Sequence, residues 1–345
     1  MGTLLYKTNL MRGKRNLITD VPGIKVGHVT LSNHAIQTGV TIVLPRTDNI
    51  FQNKYAGASQ VINGFGKSTG LVQIDELGTL ESPIALTNTL SVGTVAQALV
   101  KLMLKDNEDI GTTTGTINVI VGECNDGHLN DIRGCHIKEE HVFEAFEHAK
   151  EDFEEGAVGA GRGMTCFGAK GGIGSSSRII TLDEKEYHIG SLVLTNFGLK
   201  QDFTYHDLKA EEMETVEKGS IMMILATDVP LDARQLKRVC RRMPISLGRL
   251  GSYMGNGSGD IAIAFSTANT FPHYAKEEIM NVKTLHESKI DKVFRAAIDA
   301  CEEAIFSSLV HGESVIGRDG HTTLSLKEIL ANQEKDTGEN KDENK

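Results

Sequence analysis

One stretch of the sequence, LGRLGSYMGNGSGD at residues 247–260, runs directly into an apolar segment, IAIAF at residues 261–265. Within this stretch Gly251 precedes Ser252, so no side chain hinders an attack of the serine hydroxyl on the preceding carbonyl. Such an attack would move the acyl group from nitrogen to oxygen, and hydrolysis of the ester would then cut the chain. Taken alone, the same residues are better explained by a flexible glycine-rich loop before a strand. Self-cleavage is the more specific hypothesis.

Cleavage at this position would create an N-terminal serine that carries its own base. The free α-amine of Ser252 would have a reference pKa of about 7.7–8.0, so it could accept the hydroxyl proton near neutral pH. A site of this type needs no histidine. The chain released from Ser252 onward would have a mass of roughly 10 kDa.

Composition and charge exclude several classes of protein. The chain has 345 residues, of which 39% are hydrophobic and 24% charged, enough for one large domain or two ordinary ones. A net charge of −10 disfavours nucleic-acid binding, and the basic run KRVCRR at residues 237–242 is interpreted as a solvated helix face. The five cysteines are widely spaced without a CxxC pair, which argues against a disulfide framework and a structural zinc site.

The sequence shows no pattern of a signal peptide or a membrane-spanning helix. Residues 1–16, MGTLLYKTNLMRGKRN, lack the apolar core of a signal peptide, and no run of 18 apolar residues occurs. We therefore expect a cytoplasmic protein that does not contact a membrane.

Short apolar runs alternate with helical patterns, which is typical of an α/β protein. Buried strands are predicted at residues 40–44, 117–121, 191–194, 221–225 and 260–265. Helices are predicted over residues 92–104, 139–155 and 292–311, and small residues on the last of these indicate close packing on a sheet. Because no linker divides the chain, residues 1–330 are predicted to form one domain. The polar stretch 331–345 is predicted to be a disordered tail.

Several other motifs fall short of the pattern that their chemistry requires. FGKST at residues 65–69 is similar to the end of a phosphate-binding loop, but the position of the required glycine is Val61, so a structural turn is the better interpretation. GAGRG at residues 159–163 lacks the third glycine of a dinucleotide-binding fingerprint. No HExxH pair occurs, and no GxSxG stands at a strand-to-helix turn. We therefore expect no metal and no cofactor.

Seven short segments, each weak alone, are specific in their order and spacing. They are ITDVPGIKVGH (18–28), TGVT (38–41), ECNDGHLND (123–131), KGGIGSSSR (170–178), TNFG (195–198), FSTAN (265–269) and GRDGHT (317–322). In these segments the sequence resembles, over residues 17–323, the DmpA-type L-aminopeptidase/D-esterase or β-aminopeptidase family. Members of that family are self-processing hydrolases with an N-terminal nucleophile.

The resemblance implies an α/β fold built as a four-layer αββα sandwich, similar to that of ornithine acetyltransferases. It also implies cleavage between Gly251 and Ser252 into a large chain, 1–251, and a small chain, 252–345, that stay associated. The expected substrates are small peptides and amino-acid amides or esters. The expected assembly is a homo-oligomer of processed protomers.

Site residues follow from the resemblance, position by position. Ser252 matches the nucleophile, and Asn196 matches the residue whose amide contributes to the oxyanion hole. Glu123 matches the carboxylate that holds the free amine of the substrate, which explains why such an enzyme is an aminopeptidase. Asn125 stands at a substrate-binding position where some members carry an aromatic residue, so the substrate preference and part of the oxyanion geometry stay open. Without the resemblance, Asn196 could equally be a turn residue and Glu123 the cap of a loop.

The family also uses a supporting serine and an acid downstream of the nucleophile. Their positions stay open between Ser266, Ser288 with Glu287, Glu302 and Glu303. Lys170 either orients the site or is a structural charge, and it is left unassigned.

Two other functions stay open at the level of sequence. An acyltransferase of the same fold would pass the acyl group from Ser252 to an amine, although ornithine acetyltransferases normally use threonine as the nucleophile. A catalytically silent binding protein would keep the fold without cleaving itself. The presence of Ser252, Asn196 and Glu123 argues against this last alternative.

Overall fold

Two β-sheets lie face to face between layers of helices, in the computed structural model that describes residues 5–210, 213 and 216–342. The strands are β1 (Lys25–Asn33), β2 (Ile36–Leu44), β3 (Asn53–Gly64), β4 (Thr79–Leu80), β5 (Ile84–Asn88), β6 (Ile120–Cys124), β7 (Thr165–Cys166), β8 (Ala169–Lys170), β9 (Ile173–Leu182), β10 (Lys185–Asn196), β11 (Lys218–Thr227), β12 (Gly257–Pro272), β13 (Val315–Ile316) and β14 (Thr322–Thr323). The helices are α1 (Leu71–Leu77), α2 (Val92–Lys105), α3 (Glu139–Glu147), α4 (Ala233–Cys240), α5 (Ile245–Leu250), α6 (Ile290–Val310) and α7 (Leu326–Asp342).

The smaller sheet has the strand order β1-β2-β5-β6, and the larger sheet has the order β4-β3-β12-β11-β10-β9. The pairs β5–β6 and β11–β12 are parallel, whereas the other pairs within the two sheets are antiparallel. The apolar run 221–225 is buried on both faces, as expected for a strand in the middle of a layered fold.

Three apolar clusters separate the layers. Between the sheets lie side chains from both, among them Val43, Leu86, Leu194, Ile224 and Phe265. A second cluster joins the smaller sheet to α2 and α3, and a third joins the larger sheet to α4, α5 and α6. The order of layers is therefore helix, sheet, sheet, helix, which confirms the predicted four-layer αββα sandwich.

Helix α6 packs closely on the larger sheet through small residues. Ala296, Ala297, Ala300 and Ala304 are fully buried on it. At Gly174 on β9, an added Cβ would lie 1.9 Å from the carbonyl oxygen of Ala304. Only glycine therefore allows this approach between strand and helix.

Two predicted elements differ from the structure. Helix α3 ends at Glu147 instead of residue 155, because Lys150 forms two backbone hydrogen bonds with Val26 in β1. The predicted strand 117–121 is displaced, since Asn118 is bound by the side chain of Glu81 and regular pairing begins only at residue 120. Glu123 consequently lies inside β6 and not after it.

The C-terminal stretch also differs from the expectation of a disordered tail over residues 331–345. Helix α7 continues to Asp342, and residues 343–345 lie outside the described residues. The stretch contains glutamate, lysine and glutamine, which are good helix formers even where no apolar face is available. Within the described residues, no helix has both the length and the apolar character needed to cross a membrane.

Candidate active site

The ends of three strands meet at one edge of the larger sheet. β10 ends at Asn196, whereas β11 begins at Lys218 and β12 at Gly257, which is paired with Lys218. Because β10 is antiparallel to β11, the end of β10 lies beside the start of β11. A hydrogen bond between Ser252 and Glu217, the residue before β11, places the predicted nucleophile at the same edge.

A pocket of about 750 Å³ opens at this edge. Its wall includes Glu123, Asn125 and Asn196, so the structure brings together three of the predicted site residues. Among the described residues that line the pocket, Ser252 is not included. It is buried, with only 5% of the residue exposed. In the uncut chain the predicted nucleophile is therefore buried beside the pocket, not open to it.

Glu123 is a buried carboxylate, 2% exposed, with donors on both of its oxygens. The backbone amide of Lys67 donates to Oε1 at 2.8 Å, and the hydroxyl of Thr89 donates to Oε2. Both donors belong to the pocket wall. A carboxylate fixed in this way can accept hydrogen bonds from a substrate ammonium group.

The amide of Asn196 is held on both sides. Its Oδ1 accepts the backbone amide of Thr165 at 3.0 Å, and its Nδ2 donates to the carbonyl oxygen of Asn125 at 3.0 Å. An amide nitrogen carries two hydrogens, so one donor of Nδ2 is available for a further acceptor. A fixed neutral donor of this kind suits the stabilisation of an oxyanion.

The buried side chain of Asp126 fixes the turn that follows β6. Its carboxylate accepts the hydroxyl of Thr38 at 2.6 Å and the side-chain amide of Asn130 at 3.0 Å. Burial raises the pKa of Asp126 to about 7. Asn125 itself is exposed, and its Oδ1 accepts the backbone amide of Gly127 at 2.9 Å, which orders the turn that faces the pocket.

Ser252 has a carboxylate partner that the sequence did not indicate. Its hydroxyl donates to Oε1 of the buried Glu217 at 2.5 Å and accepts the backbone amide of Met254 at 3.0 Å. The second carboxylate oxygen accepts the backbone amides of Tyr253, at 3.1 Å, and Gly255, at 3.3 Å. The acid thus binds both the hydroxyl and the loop that carries it.

The residue before the serine must be glycine for a structural reason. Gly251 ends helix α5 with a φ of +111°, which L side chains rarely adopt. An added Cβ would lie 1.7 Å from the carbonyl oxygen of Asp202. Glycine at residue 251 therefore has two effects. It leaves the scissile carbonyl accessible to attack, and it is the residue that the packing against Asp202 allows.

None of the candidates for a supporting serine or acid is bonded to Ser252. The hydroxyl of Ser266 donates to a backbone carbonyl, that of Val229, at 2.6 Å. Ser288 is exposed and bonded to its neighbour His286. Both serines therefore have local structural partners.

The acidic candidates are paired with arginines. Glu287 binds Arg234 and Arg238 on α4, Glu302 binds Arg249 at 3.0 Å, and Glu303 binds Arg12 at 2.9 Å and Arg178 at 2.6 Å. These ion pairs neutralise the three carboxylates, and none of the three is hydrogen-bonded to Ser252. Glu217 takes the position beside Ser252 instead, and no motif in the sequence marks it.

Lys170 is a fully buried cation with three backbone partners. Its ammonium donates to the carbonyl oxygens of Gly161, Met164 and Gly171 at 2.7–2.8 Å. Burial lowers the pKa of Lys170. The lysine therefore braces the loop that carries Thr165, whose amide orients Asn196.

Two of the seven segments noted in the sequence meet beside the pocket. The guanidinium of Arg318 donates to the carbonyl oxygen of Gly127 at 2.7 Å, and the ring of His321 stacks on that of His128 with centroids 5.0 Å apart. Burial, and to a lesser degree His321 and Arg318, lower the pKa of His128, which favours its neutral form.

The segment 65–69 has a role beyond the structural turn that the sequence suggested. Phe65 and Lys67 belong to the pocket wall, and Lys67 binds Glu123 through its backbone.

Among the described residues, no group of three or more His, Cys, Asp and Glu side chains is placed to hold a metal ion.

Comparisons with known proteins place this arrangement among peptidases. A model described as peptidase family S58 matches residues 16–323. The beta-peptidyl aminopeptidase BapA of Sphingosinicella microcystinivorans is 37% identical, with 91% of this chain and 86% of the relative covered.

Two solved structures have nearly the same fold. The PH0078 protein from Pyrococcus horikoshii OT3 superposes with a TM-score of 0.90 at 49% identity, covering 95% of this chain and 96% of the other. The L-aminopeptidase D-Ala-esterase/amidase from Ochrobactrum anthropi superposes with a TM-score of 0.88 at 31% identity, covering 97% and 98%. The latter is described as a prototype for the serine aminopeptidases and a new variant among the Ntn hydrolase fold.

Proposed function

The chain belongs to peptidase family S58 and is a self-processing serine aminopeptidase, and we propose that Ser252 is its nucleophile, freed by cleavage of the bond to Gly251. The observation that carries the assignment is the meeting of Glu123, Asn125 and Asn196 in one pocket, at the sheet edge where Ser252 is bonded to Glu217. The substrates are peptides or amides with a free amine, and we propose small peptides, amino-acid amides and esters. Relatives that are named aminopeptidases do not favour the acyltransferase alternative.

Self-cleavage begins with the hydroxyl of Ser252. Glu217 accepts the hydroxyl proton as Oγ attacks the carbonyl carbon of Gly251, and the bond from that carbon to the nitrogen of Ser252 then breaks. The nitrogen takes the proton and becomes the amine of a new N-terminus. Water hydrolyses the ester, which leaves a carboxylate on Gly251 and restores the hydroxyl.

Turnover uses the same serine with its new amine as base. Glu123 holds the ammonium group of the substrate, while the α-amine of Ser252 accepts the proton from its own hydroxyl. The hydroxyl attacks the substrate carbonyl, and the available hydrogen of Asn196 Nδ2 stabilises the oxyanion. The leaving amine takes the proton, and water then hydrolyses the acyl-enzyme.

The mass of the purified chain under denaturing conditions tests the nucleophile. We expect the wild type to give a fragment of roughly 10 kDa that begins with Ser252, and Ser252→Ala to give the full 37.5 kDa chain without peptidase activity. Ser258→Ala is the matched control, because Ser258 is also buried and also donates to a carboxylate, that of Asp260.

We expect Ser258→Ala to be cleaved as the wild type is. An uncut but fully active Ser252→Ala variant would show that another residue is the nucleophile. An uncut wild type after long incubation would contradict self-processing at this bond.

We further propose that processed protomers form a homo-oligomer in the cytoplasm. Large apolar side chains on the surface, including Val72 and Leu77, offer area for self-association. All five cysteines are free thiols, which accords with a reducing compartment.

A further inference from the structure

The described wall of the pocket carries more positively than negatively charged side chains. Among the described residues, this wall carries one carboxylate, Glu123, and two ammonium groups, those of Lys67 and Lys218. His128 is the remaining titratable residue of the wall, and its lowered pKa favours the neutral form. Once Glu123 has bound a substrate ammonium, two positive charges remain opposite the rest of the substrate.

Neither lysine is neutralised within the part of the chain that the structure describes. Among the described residues no ion pair involves Lys67 or Lys218, whereas three buried acids, Glu81, Glu302 and Glu303, are paired with arginine or lysine. The ammonium of Lys67 lies 4.4 Å from the ring centroid of Phe65, which holds it at the pocket wall without removing its charge.

The two lysines belong to different segments of the chain and both line the pocket. Lys67 is attached to the Glu123 side, because its backbone amide binds that carboxylate. Lys218 begins β11 in the larger sheet and directly follows Glu217, the partner of the Ser252 hydroxyl. Lys218 is exposed and lines the pocket, whereas the side chain of its neighbour Glu217 is buried against Ser252.

We propose that Lys67 and Lys218 bind a carboxylate on the residue that follows the scissile bond, so that the enzyme prefers short peptides with a negative charge at that residue. The inference rests on the proposed function, since it assumes that Glu123 holds the amine. The carboxylate is either the C-terminus of a dipeptide or an acidic side chain. A dipeptide spans roughly 7 Å along its backbone, and a pocket of about 750 Å³ accommodates it.

The test compares substrates that differ only in this charge. Alanyl-glycine, alanyl-glycinamide and alanyl-aspartamide (a C-terminal amide with a free side-chain carboxylate) are hydrolysed by the processed enzyme, and the same three are made with β-alanine as the first residue. We expect kcat/KM to be about tenfold higher for the free acid than for the glycinamide, which corresponds to about 1.4 kcal/mol. High activity on alanyl-aspartamide would assign the preference to an acidic side chain, and low activity would assign it to the C-terminus.

The lysines are tested by Lys67→Met, Lys218→Met and the double variant. Each single substitution is expected to lower the ratio of acid to amide about threefold, and the double variant to bring it near one, as for exposed ion pairs of modest strength. Raising the salt concentration from 0.01 to 1 M should lower the ratio in the wild type but not in the double variant, because screening acts only on the charge interaction.

Lys185→Met is the matched control. Its ammonium also lies over an aromatic ring, that of Tyr187 at 4.9 Å, but it stands at the start of β10, 11 residues and about 36 Å from Asn196. We expect this variant to keep the wild-type ratio.

The outcomes separate this inference from the proposed function. Equal hydrolysis of acids and amides by the wild type, or a ratio that the lysine variants leave unchanged, would overturn the role of the lysines alone. Hydrolysis of these peptides by Ser252→Ala at the wild-type rate would overturn the proposed function instead.

Discussion

Replacement of Gly251 by alanine should slow self-cleavage about a hundredfold. The new Cβ would lie 1.7 Å from the carbonyl oxygen of Asp202, whereas a close C···O contact is about 3.3 Å. The two segments must therefore separate by about 1.6 Å. A displacement of even 1 Å from reactive geometry can cost about a hundredfold in rate, and this shift acts directly on the attacked carbonyl.

The cost in stability can be derived from the same contacts. A left-handed backbone costs a residue other than glycine about 1–2 kcal/mol. Separation also breaks two hydrogen bonds from Thr204, one to the carbonyl oxygen of Leu250 at 3.1 Å and one to that of Arg249 at 2.7 Å. At about 1 kcal/mol each, they bring the expected loss for the uncut chain to about 3–4 kcal/mol.

Gly248→Ala is the control for this substitution. Gly248 lies in helix α5, three residues before Gly251, and an added Cβ would meet nothing within 4 Å. Alanine is favoured over glycine in a helix by up to about 1 kcal/mol, so this variant should be slightly more stable and be cleaved normally.

The assay follows the uncut fraction by intact mass after a short pulse of cell-free synthesis. Urea unfolding of both variants in a Ser252→Ala background measures stability without interference from cleavage. Cleavage of Gly251→Ala at or above the wild-type rate, with an unchanged urea midpoint, would refute the argument that packing at residue 202 aligns the scissile carbonyl.

Three further substitutions test the groups around the pocket. Asn196→Ala should lower kcat about a hundredfold by removing an oxyanion donor. The control Asn269→Ala, whose side-chain amide is also hydrogen-bonded through both its oxygen and its nitrogen, should keep the wild-type kcat. A change confined to KM would contradict the role of Asn196 in stabilising the oxyanion. Glu123→Gln should lower kcat/KM about ten- to hundredfold for esters with a free amine and leave N-blocked esters unaffected, so equal losses would remove the amine-binding role. Glu217→Gln keeps the shape but cannot accept the Ser252 proton as a carboxylate does; its cleavage half-time should rise about a hundredfold or more, and an unchanged half-time would point to another base.

Local patterns in the sequence were sufficient for the α/β class and its buried strands, whereas the four-layer arrangement was implied by the family resemblance. The run at residues 221–225 is apolar on both sides because its strand is covered by a sheet on one face and by helices on the other. The small residues of α6 indicated close packing, and Gly174 shows how close it is. By contrast, the end of α3 depends on the pairing of Lys150 with Val26, which no pattern within residues 139–155 contains.

The hydrogen-bond partners of the site residues could not be predicted from the sequence. Asn196 and Glu123 were selected by resemblance, but their neighbours Thr165, Lys67 and Thr89 depend on how distant loops pack. The candidate acids for Ser252 were chosen downstream of it, and each of them is bonded to an arginine elsewhere.

The sequence by itself determined the α/β class and the Gly251–Ser252 pair, because both depend on residues close together in the chain. It also determined the family, which shows in the order and spacing of seven short segments. The tertiary structure alone decided that Glu217 contacts the serine, that two lysines share a pocket with Glu123, and that Asp202 leaves no room beyond glycine at residue 251. The pairing of β11 with β10 and β12, and the packing of β6 against β10 and β11, bring these groups together from segments far apart in sequence. Contacts set by the arrangement of strands have no local signature.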